Sequence, residues 1–160
     1  MASIVLGACS NSSGGLDRTE AALVQLDEAL QSYLNDPYPP YPETLDEEGL
    51  RQAAAFYSEG ERRIEGLESL LPRLTVAVAE EGAGGAQLNS GSSFTLDEYL
   101  ELFEVWVEAQ REQLEESRFC ALESTAPPAC FIAMIEENGD RWQAAADAIN
   151  AELQGAGLLR

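Results

Sequence analysis

The sequence contains no histidine and no lysine, and this absence removes many of the side chains that enzymes use. Without histidine there is no Ser–His or Cys–His nucleophile pair and no histidine-based zinc, copper or di-iron site. Without lysine there is no Schiff-base amine and no phosphate-binding lysine of a P-loop. Carboxylates, tyrosine, cysteine and the N-terminal amine remain. We therefore expect a protein without catalytic activity, cofactor or metal site.

Positive charge is also scarce. The chain has nine arginines and 29 acidic residues, which gives a formal net charge of −20. Such a surface repels nucleic acids and anionic lipid headgroups, so neither is an expected partner, whereas cations and basic proteins remain possible. The 160 residues, 45% of them hydrophobic, fit one folded domain with its own core. We expect this domain to be a monomer.

The residues Leu6-Gly7-Ala8-Cys9 resemble the lipobox of bacterial lipoproteins, in which an aliphatic residue and two small residues precede a cysteine. Arginine without lysine, together with abundant alanine, is similarly typical of proteins from high-GC bacteria. The lipobox resemblance implies cleavage before Cys9, a diacylglycerol thioether on its sulfur and acylation of its new amine. It also implies a lipid-anchored protein on the extracytoplasmic face of the cell membrane.

The chain divides accordingly into three segments. We expect residues 1–8 to be the remnant of a signal peptide, residues 9–16 to be the lipidated cysteine and a flexible Ser/Gly tether, and residues 17–160 to be a single helical domain. No stretch approaches the ~18 apolar residues of a spanning helix, so membrane attachment would depend on the lipid. The alternative is an accidental lipobox in a cytosolic protein.

Cys120 and Cys130 flank a short turn that contains Pro127 and Pro128. Two helices joined by such a turn would bring the cysteines together, and export would favour a disulfide between them. Two reduced, buried thiols are the alternative, and a metal-binding pair is less favoured because no second pair of ligands exists.

Apolar residues at helical spacing predict four helices. The first begins at Asp17 with an acceptor at its cap, and ends before Pro37. In the second, Pro72 should kink or stop the helix, and residues 74–78 fit a strand or a resumed helix, of which we favour the helix. The predicted core faces are Leu23, Leu26, Leu30 and Tyr33, then Leu50, Ala53, Tyr57, Gly60, Ile64, Leu67 and Leu71.

The third helix shows the most regular pattern, and its opposite face is acidic. Glu101, Glu104 and Glu108 share one edge, which would suit a hard cation only with help from another element, so a solvated face is favoured. Gln110, on the apolar face of this helix, would be either a buried polar group or a residue that fixes the register of helix packing. The apolar positions are Leu96, Leu100, Phe103, Trp106, Val107 and Leu114.

The fourth helix should be interrupted at Asn138-Gly139 and should end at Gly155 and Gly157. Trp142 on its apolar face would be either a core residue or part of a pocket, and core is favoured. The expected core positions are Phe131, Met134, Ile135, Trp142, Ala145, Ile149 and Leu153.

Three connections complete the pattern. Residues 36–42, here named the strap, contain four prolines and two tyrosines and favour extended polyproline II. The strap is either a docking motif that offers aromatic faces or, as we favour, a stiff connection with its tyrosines packed on the bundle. Residues 81–93 read as a flexible Gly/Ser-rich crossover or a mobile lid. Identical Thr-Leu-Asp-Glu tetrapeptides at Thr44 and Thr95 predict capping boxes at two helix starts.

These observations predict an all-α, four-helix up-down bundle. The favoured function is a lipid-anchored module of the cell envelope that binds a protein or a small molecule. A cytosolic acidic interaction domain is the second hypothesis. A hydrolase that uses only carboxylates is the third, because 29 acidic residues will always supply some suitably spaced pair.

Overall fold

The structure, a computed structural model, describes residues 17–44, 46–87 and 95–155. They form four helices: α1 (Asp17–Asn35), α2 (Glu47–Glu81), α3 (Leu96–Leu122) and α4 (Pro127–Gly155). Across these ranges there is no β-strand, only an isolated bridge between Gln87 and Thr95. The predicted all-α class is confirmed. The proposed signal remnant, the tether with Cys9, and Gly157 lie outside the described residues.

Consecutive helices run antiparallel, as predicted for an up-down bundle. Arg18 at the start of α1 donates to Glu80 at the end of α2. Arg111 of α3 likewise pairs with Glu68 of α2. Asn138 of α4 donates to Glu116 near the end of α3. Throughout the ranges given above, helix backbones approach one another only between chain neighbours, so α4 packs its backbone against α3 alone.

The apolar faces of all four helices meet in one main core. Nearly all predicted core positions whose side chains are described are buried or half-buried, which follows from their 3–4 spacing. They lie in the main core or in two smaller clusters, one with Ala53 and Tyr57 and one with Met134 and Trp142. Leu50 and Ile135 are exceptions, with exposed fractions of 38% and 60%. The predicted core side chain of Leu153 lies outside the described part of the chain. The main core includes Leu23, Leu26, Leu30, Ile64, Leu67, Leu74, Val78, Leu96, Leu100, Phe103, Trp106, Val107 and Ile149.

The prediction that Pro72 stops the second helix is wrong. Helix α2 continues through Pro72 to Glu81, and the favoured helical interpretation of residues 74–78 is confirmed. Leu67 and Leu74 lie two turns apart on either side of the proline, and both are fully buried in the main core. Their burial offsets the ~3 kcal/mol that an internal proline costs a helix. Pro72 itself faces outward and is exposed.

The predicted interruption of the fourth helix at Asn138-Gly139 is also wrong, because α4 is continuous from Pro127 to Gly155. Met134 and Trp142, on either side of the break expected from sequence, are buried in one cluster against α3. The Asn138 side chain donates to the Glu116 carboxylate of α3 instead of competing for its own backbone. Tertiary contacts therefore outweigh the weak local helix propensity.

Helix starts agree with the sequence in one case and differ in two. Thr95 forms the predicted capping box with Glu98. At α2 the cap is Asp46, whose carboxylate accepts from the Gly49 N–H, and Thr44 only supports it, so the Thr44 box is wrong. Asp17 lies within α1, and its cap is supplied from another helix, as described in the Discussion.

The connection between α2 and α3 is ordered at both ends. Gly82 ends α2 with φ of +63°, a left-handed conformation that glycine adopts without strain. Ala83 is buried in the main core, and the Leu96 N–H donates to the Ala86 carbonyl at 2.8 Å. Residues 88–93 of the predicted crossover lie outside the described residues.

Candidate functional site

An aromatic cleft of about 550 Å³ opens where the strap crosses α2 and α3. The end of α1 and the start of α4 complete it, so all four helices and the strap contribute. Six of the lining side chains are aromatic. We name this pocket the aromatic cleft. Its aromatic residues are Tyr33, Tyr38, Tyr41, Phe56, Tyr57 and Phe131.

The strap reaches the cleft because Arg63 holds its first residues. The Arg63 guanidinium donates to the carbonyl oxygens of Asp36 and Pro37, each at 2.9 Å. It also lies 4.0 Å from the centre of the Tyr38 ring. The carboxylate of Glu59, one turn earlier on α2, accepts from the same guanidinium at 2.7 Å. A buried arginine thus supplies the donors that an extended, proline-rich backbone otherwise leaves without partners.

The strap tyrosines pack against α2, as predicted for a stiff connection, and they also line the cleft. The Tyr38 ring lies 5.2 Å from the Phe56 ring, and the Tyr41 ring lies 5.4 Å from it. Tyr41 also contacts Tyr57 at 6.2 Å. Tyr41 remains 45% exposed, so its packed ring still borders the opening.

The remaining lining is one leucine and three uncharged polar groups from α3: Gln110, Gln113, Leu114 and Ser117. Gln110 is half-buried, and its side-chain oxygen accepts from the Tyr33 hydroxyl at 3.0 Å. The Ser117 hydroxyl donates to the Met134 sulfur. Two of the three polar groups are therefore already engaged within the protein.

Three of the phenols that line the cleft have a raised pKa. Burial is the main cause that raises the pKa of Tyr33, and the neighbouring Tyr38 adds to it. Burial likewise raises the pKa of Tyr57, again with a contribution from its neighbour Tyr41. Burial also raises the pKa of Tyr38 despite the opposing charge of Arg63. The lining contains no Asp, Glu, Lys, Arg or His side chain.

A second depression, of about 600 Å³, lies between α1 and α2 at the opposite end of the bundle. Small aliphatic side chains and Pro72 form most of its floor, with Arg18 and Arg73 at its border. It has no aromatic residue among those lining it. It therefore offers less directional recognition than the aromatic cleft, although it is slightly larger.

The other residues singled out by sequence lie apart from the cleft. Glu101, Glu104 and Glu108 are exposed on α3, and no group of three or more metal-ligating side chains converges within residues 17–44, 46–87 and 95–155. Trp142 is buried in a cluster with Met134 and Cys120 and donates to Glu112, as expected of a core residue.

Cys120 and Cys130 are brought together at disulfide-bonding distance, with their Cα atoms 5.4 Å apart. They join the end of α3 to the first turn of α4, where the sequence predicted a hairpin. Phe131, the residue after Cys130, lines the aromatic cleft. The pair thus stands beside the cleft and fixes the turn that carries one of its walls.

The cleft itself was missed by sequence analysis, although its parts were visible. The strap tyrosines were recognised as aromatic faces, but their partners on α2 are the adjacent Phe56 and Tyr57, of which only Tyr57 follows the core spacing. A pair of adjacent aromatic residues in a helix places one ring outside the seam, and this signal could have indicated a lateral site.

Comparisons with protein-family models, with curated proteins and with solved structures yield no match. None of the helices described is long and apolar enough to cross a membrane. Functional inference therefore depends on the geometry of the cleft and on the sequence.

Proposed function

We propose that this chain is a lipid-anchored, extracytoplasmic binding module that holds a ligand in the aromatic cleft and performs no catalysis. The aromatic cleft is the observation that carries the proposal. Its volume of about 550 Å³ lies in the range of ~300–1,000 Å³ typical of small-molecule sites. Its lining, mainly aromatic with a few amide and hydroxyl groups, has the composition that such sites use.

The same lining favours binding over chemistry. Proton transfer needs a group whose pKa lies near the working pH. The amides of Gln110 and Gln113 do not titrate, and the pKa values of Tyr33 and Tyr57 are raised away from neutrality. The lining therefore offers surfaces and hydrogen bonds rather than a general base, which also disfavours a carboxylate hydrolase at this site.

Two features support export. Leu6-Gly7-Ala8-Cys9 resembles a lipobox, and the Cys120–Cys130 pair is placed for a disulfide, which persists in oxidising compartments. The position of the cleft also suits an anchored protein. A lipid on Cys9 would attach before Asp17, whereas Tyr33 at the cleft lies 16 residues further along α1, or ~24 Å along the helix axis. The cleft would therefore lie at the end of α1 that is remote from the attachment point.

The anchor is tested by measuring the mass of the mature N-terminus in the native host, expressed with its upstream codons. We expect the chain to begin at Cys9 with a diacylglycerol mass and to partition into detergent. The Cys9→Ser variant is the matched control and should lose both. An unmodified Cys9 in the wild-type protein would contradict the anchor and favour the cytosolic interaction domain.

Binding is tested separately with a fragment library of neutral, cationic and anionic compounds, using the full chain and ligand-observed NMR. We expect fragments whose binding is lost in Tyr41→Ala but kept in Val76→Ala. Both residues are exposed, but Val76 lines the depression between α1 and α2 instead of the cleft. A library without any Tyr41-dependent fragment would overturn the binding role of the cleft.

A further inference from the structure

Three rings of the aromatic cleft form a corner. The planes of Tyr41, Phe56 and Tyr57 are mutually near-perpendicular, with interplanar angles of 85°, 90° and 90°. Their centroids lie 5.4–6.2 Å apart. Each aromatic face carries a negative partial charge that attracts a cation within ~6 Å of the ring centre. The three contacts are edge to face, and the accessible rings are Tyr41, 45% exposed, and the half-buried Phe56, whereas Tyr57 is only 3% exposed. Aromatic cages likewise hold a cation against more than one ring face.

The same aromatic cluster already holds one cation on a ring face. The Arg63 guanidinium stacks at 4.0 Å on Tyr38, whose ring in turn contacts Phe56. Arg63 is neutralised by Glu59 and is not one of the residues that line the cleft. The cluster therefore accepts cationic groups, and the positive charge within it is paired.

The hydrogen-bonding groups of the lining limit further which classes of ligand can bind. The Gln110 oxygen is taken by Tyr33, and the Ser117 hydroxyl is directed to Met134. A sugar or a primary ammonium group brings several donors that need acceptors, and of the three polar α3 side chains only Gln113 has no partner among the described residues. Few of those donors would find an acceptor, and leaving the others unpaired on binding is costly. A quaternary ammonium group has no N–H donor and makes no such demand.

The charges of the cleft lining and of the whole protein favour the same class of ligand. No lining side chain is cationic, so an anionic ligand would find no counter-ion in the cleft. The net charge of −20 repels anions and raises the local concentration of cations around the protein. We infer that the ligand of the aromatic cleft carries a quaternary ammonium group, held against the rings of Tyr41 and Phe56. This inference rests on the proposed binding role of the cleft.

The test compares choline with 3,3-dimethylbutan-1-ol, its uncharged isostere, by titration calorimetry and NMR of the full chain. The two probes share shape and hydroxyl group and differ in the central charge. We expect choline to bind at least tenfold more tightly than the isostere. Tyr41→Leu should weaken choline binding by about tenfold, or ~1.4 kcal/mol, and change isostere binding by less than threefold.

Tyr41→Phe keeps the ring and should retain choline binding, while Val76→Ala should leave it unchanged. Unaltered thermal unfolding of Tyr41→Leu excludes loss of fold as the cause. Equal affinity for choline and the isostere would overturn the inference. An unchanged choline affinity in Tyr41→Leu would overturn it as well. If neither probe binds while the fragment library gives Tyr41-dependent ligands, the inference falls and the binding role stands. If the library also gives none, both fall.

Discussion

Arg63 stacks on Tyr38 with its guanidinium 4.0 Å from the ring centre, while the same group donates to two carbonyl oxygens of the strap. One side chain of α2 therefore fixes both the backbone and the first tyrosine of a segment with four prolines. Such a segment has few N–H groups of its own with which to bond the bundle. The wall of the aromatic cleft depends on this arginine.

We predict that Arg63→Ala destabilises the protein by about 3 kcal/mol, because it removes buried hydrogen bonds and leaves Asp36 and Pro37 carbonyls without donors. Urea unfolding followed by circular dichroism measures this change. Arg62→Ala is the matched control, since Arg62 pairs with the same Glu59 but is 68% exposed against 6% for Arg63. It should leave the unfolding midpoint almost unchanged. Equal effects of the two variants would refute the role of Arg63.

The lowered pKa of Glu59 predicts that the stability of the protein depends on pH. Hydrogen bonds from Arg62 and then Arg63 lower its pKa to about 2. The unfolded chain binds a proton at Glu59 near pH ~4.5, whereas the folded chain does so only near pH 2, so stability rises with pH between these values. The contribution is fully present above pH ~4.5 and is lost as pH falls towards 2.

The check compares wild type with Glu59→Gln, because the many other carboxylates then contribute alike to both proteins. We expect the difference in unfolding free energy to be constant above pH 5 and to narrow steadily below pH 4.5. A difference that is independent of pH down to 2.5 would show that Glu59 does not contribute through its charge.

Sequence periodicity located the helices because burial of one helical face dominates the free energy of such a fold. It predicted a kink or a stop at Pro72 and an interruption at Gly139, because the packing that keeps α2 and α4 continuous is not contained in local propensity. The cleft was missed for a related reason. It depends on side chains far apart in sequence, such as Tyr41 and Phe131, and on Arg63, whose charge indicated the surface rather than a buried position.

Glu81 caps α1 from the end of α2. Its two carboxylate oxygens accept from the N–H groups of Arg18 and Thr19, each at 3.0 Å, and contacts with Thr19 and Arg18 lower its pKa. We predict that Glu81→Gln accelerates amide hydrogen exchange in the first turn of α1, because a neutral amide accepts less strongly at a helix N-terminus. Hydrogen exchange by NMR measures this.

Glu80→Gln is the control for that experiment. Within the part of the chain that the structure describes, Glu80 pairs only with the exposed Arg18 side chain, so its removal should leave exchange at the first turn unaltered. If both variants accelerate exchange equally, general surface charge and not the cap is responsible.

The Cys120–Cys130 pair should stabilise the α3–α4 hairpin once oxidised. Closing a loop with a sequence separation of 10 is worth ~2–3 kcal/mol through restriction of the unfolded chain. We expect a reductant to lower the unfolding midpoint of the wild-type protein and of Cys9→Ser alike. The double variant Cys120→Ser/Cys130→Ser should not respond to reductant. If reductant leaves the unfolding midpoint of the wild-type protein unchanged, the prediction is wrong.

Gly60 allows α2 and α3 to approach closely. A Cβ atom added at Gly60 would lie 2.8 Å from a terminal carbon of Leu114, closer than van der Waals contact permits. Alanine improves helix propensity by ~1 kcal/mol, but crowding of a packed side chain costs ~1–3 kcal/mol. We therefore predict that Gly60→Ala destabilises the protein by about 1 kcal/mol in urea unfolding.

The same substitution should change sign when Leu114 is shortened. In a Leu114→Ala background there is no side chain to displace, so only the gain in helix propensity remains, and Gly60→Ala should stabilise by ~0.5–1 kcal/mol. A double-mutant cycle measures this coupling. If the effects of the two substitutions on unfolding free energy are additive, the close approach at Gly60 does not position Leu114. Leu114 also lines the aromatic cleft, so Gly60→Ala alone should alter ligand binding there.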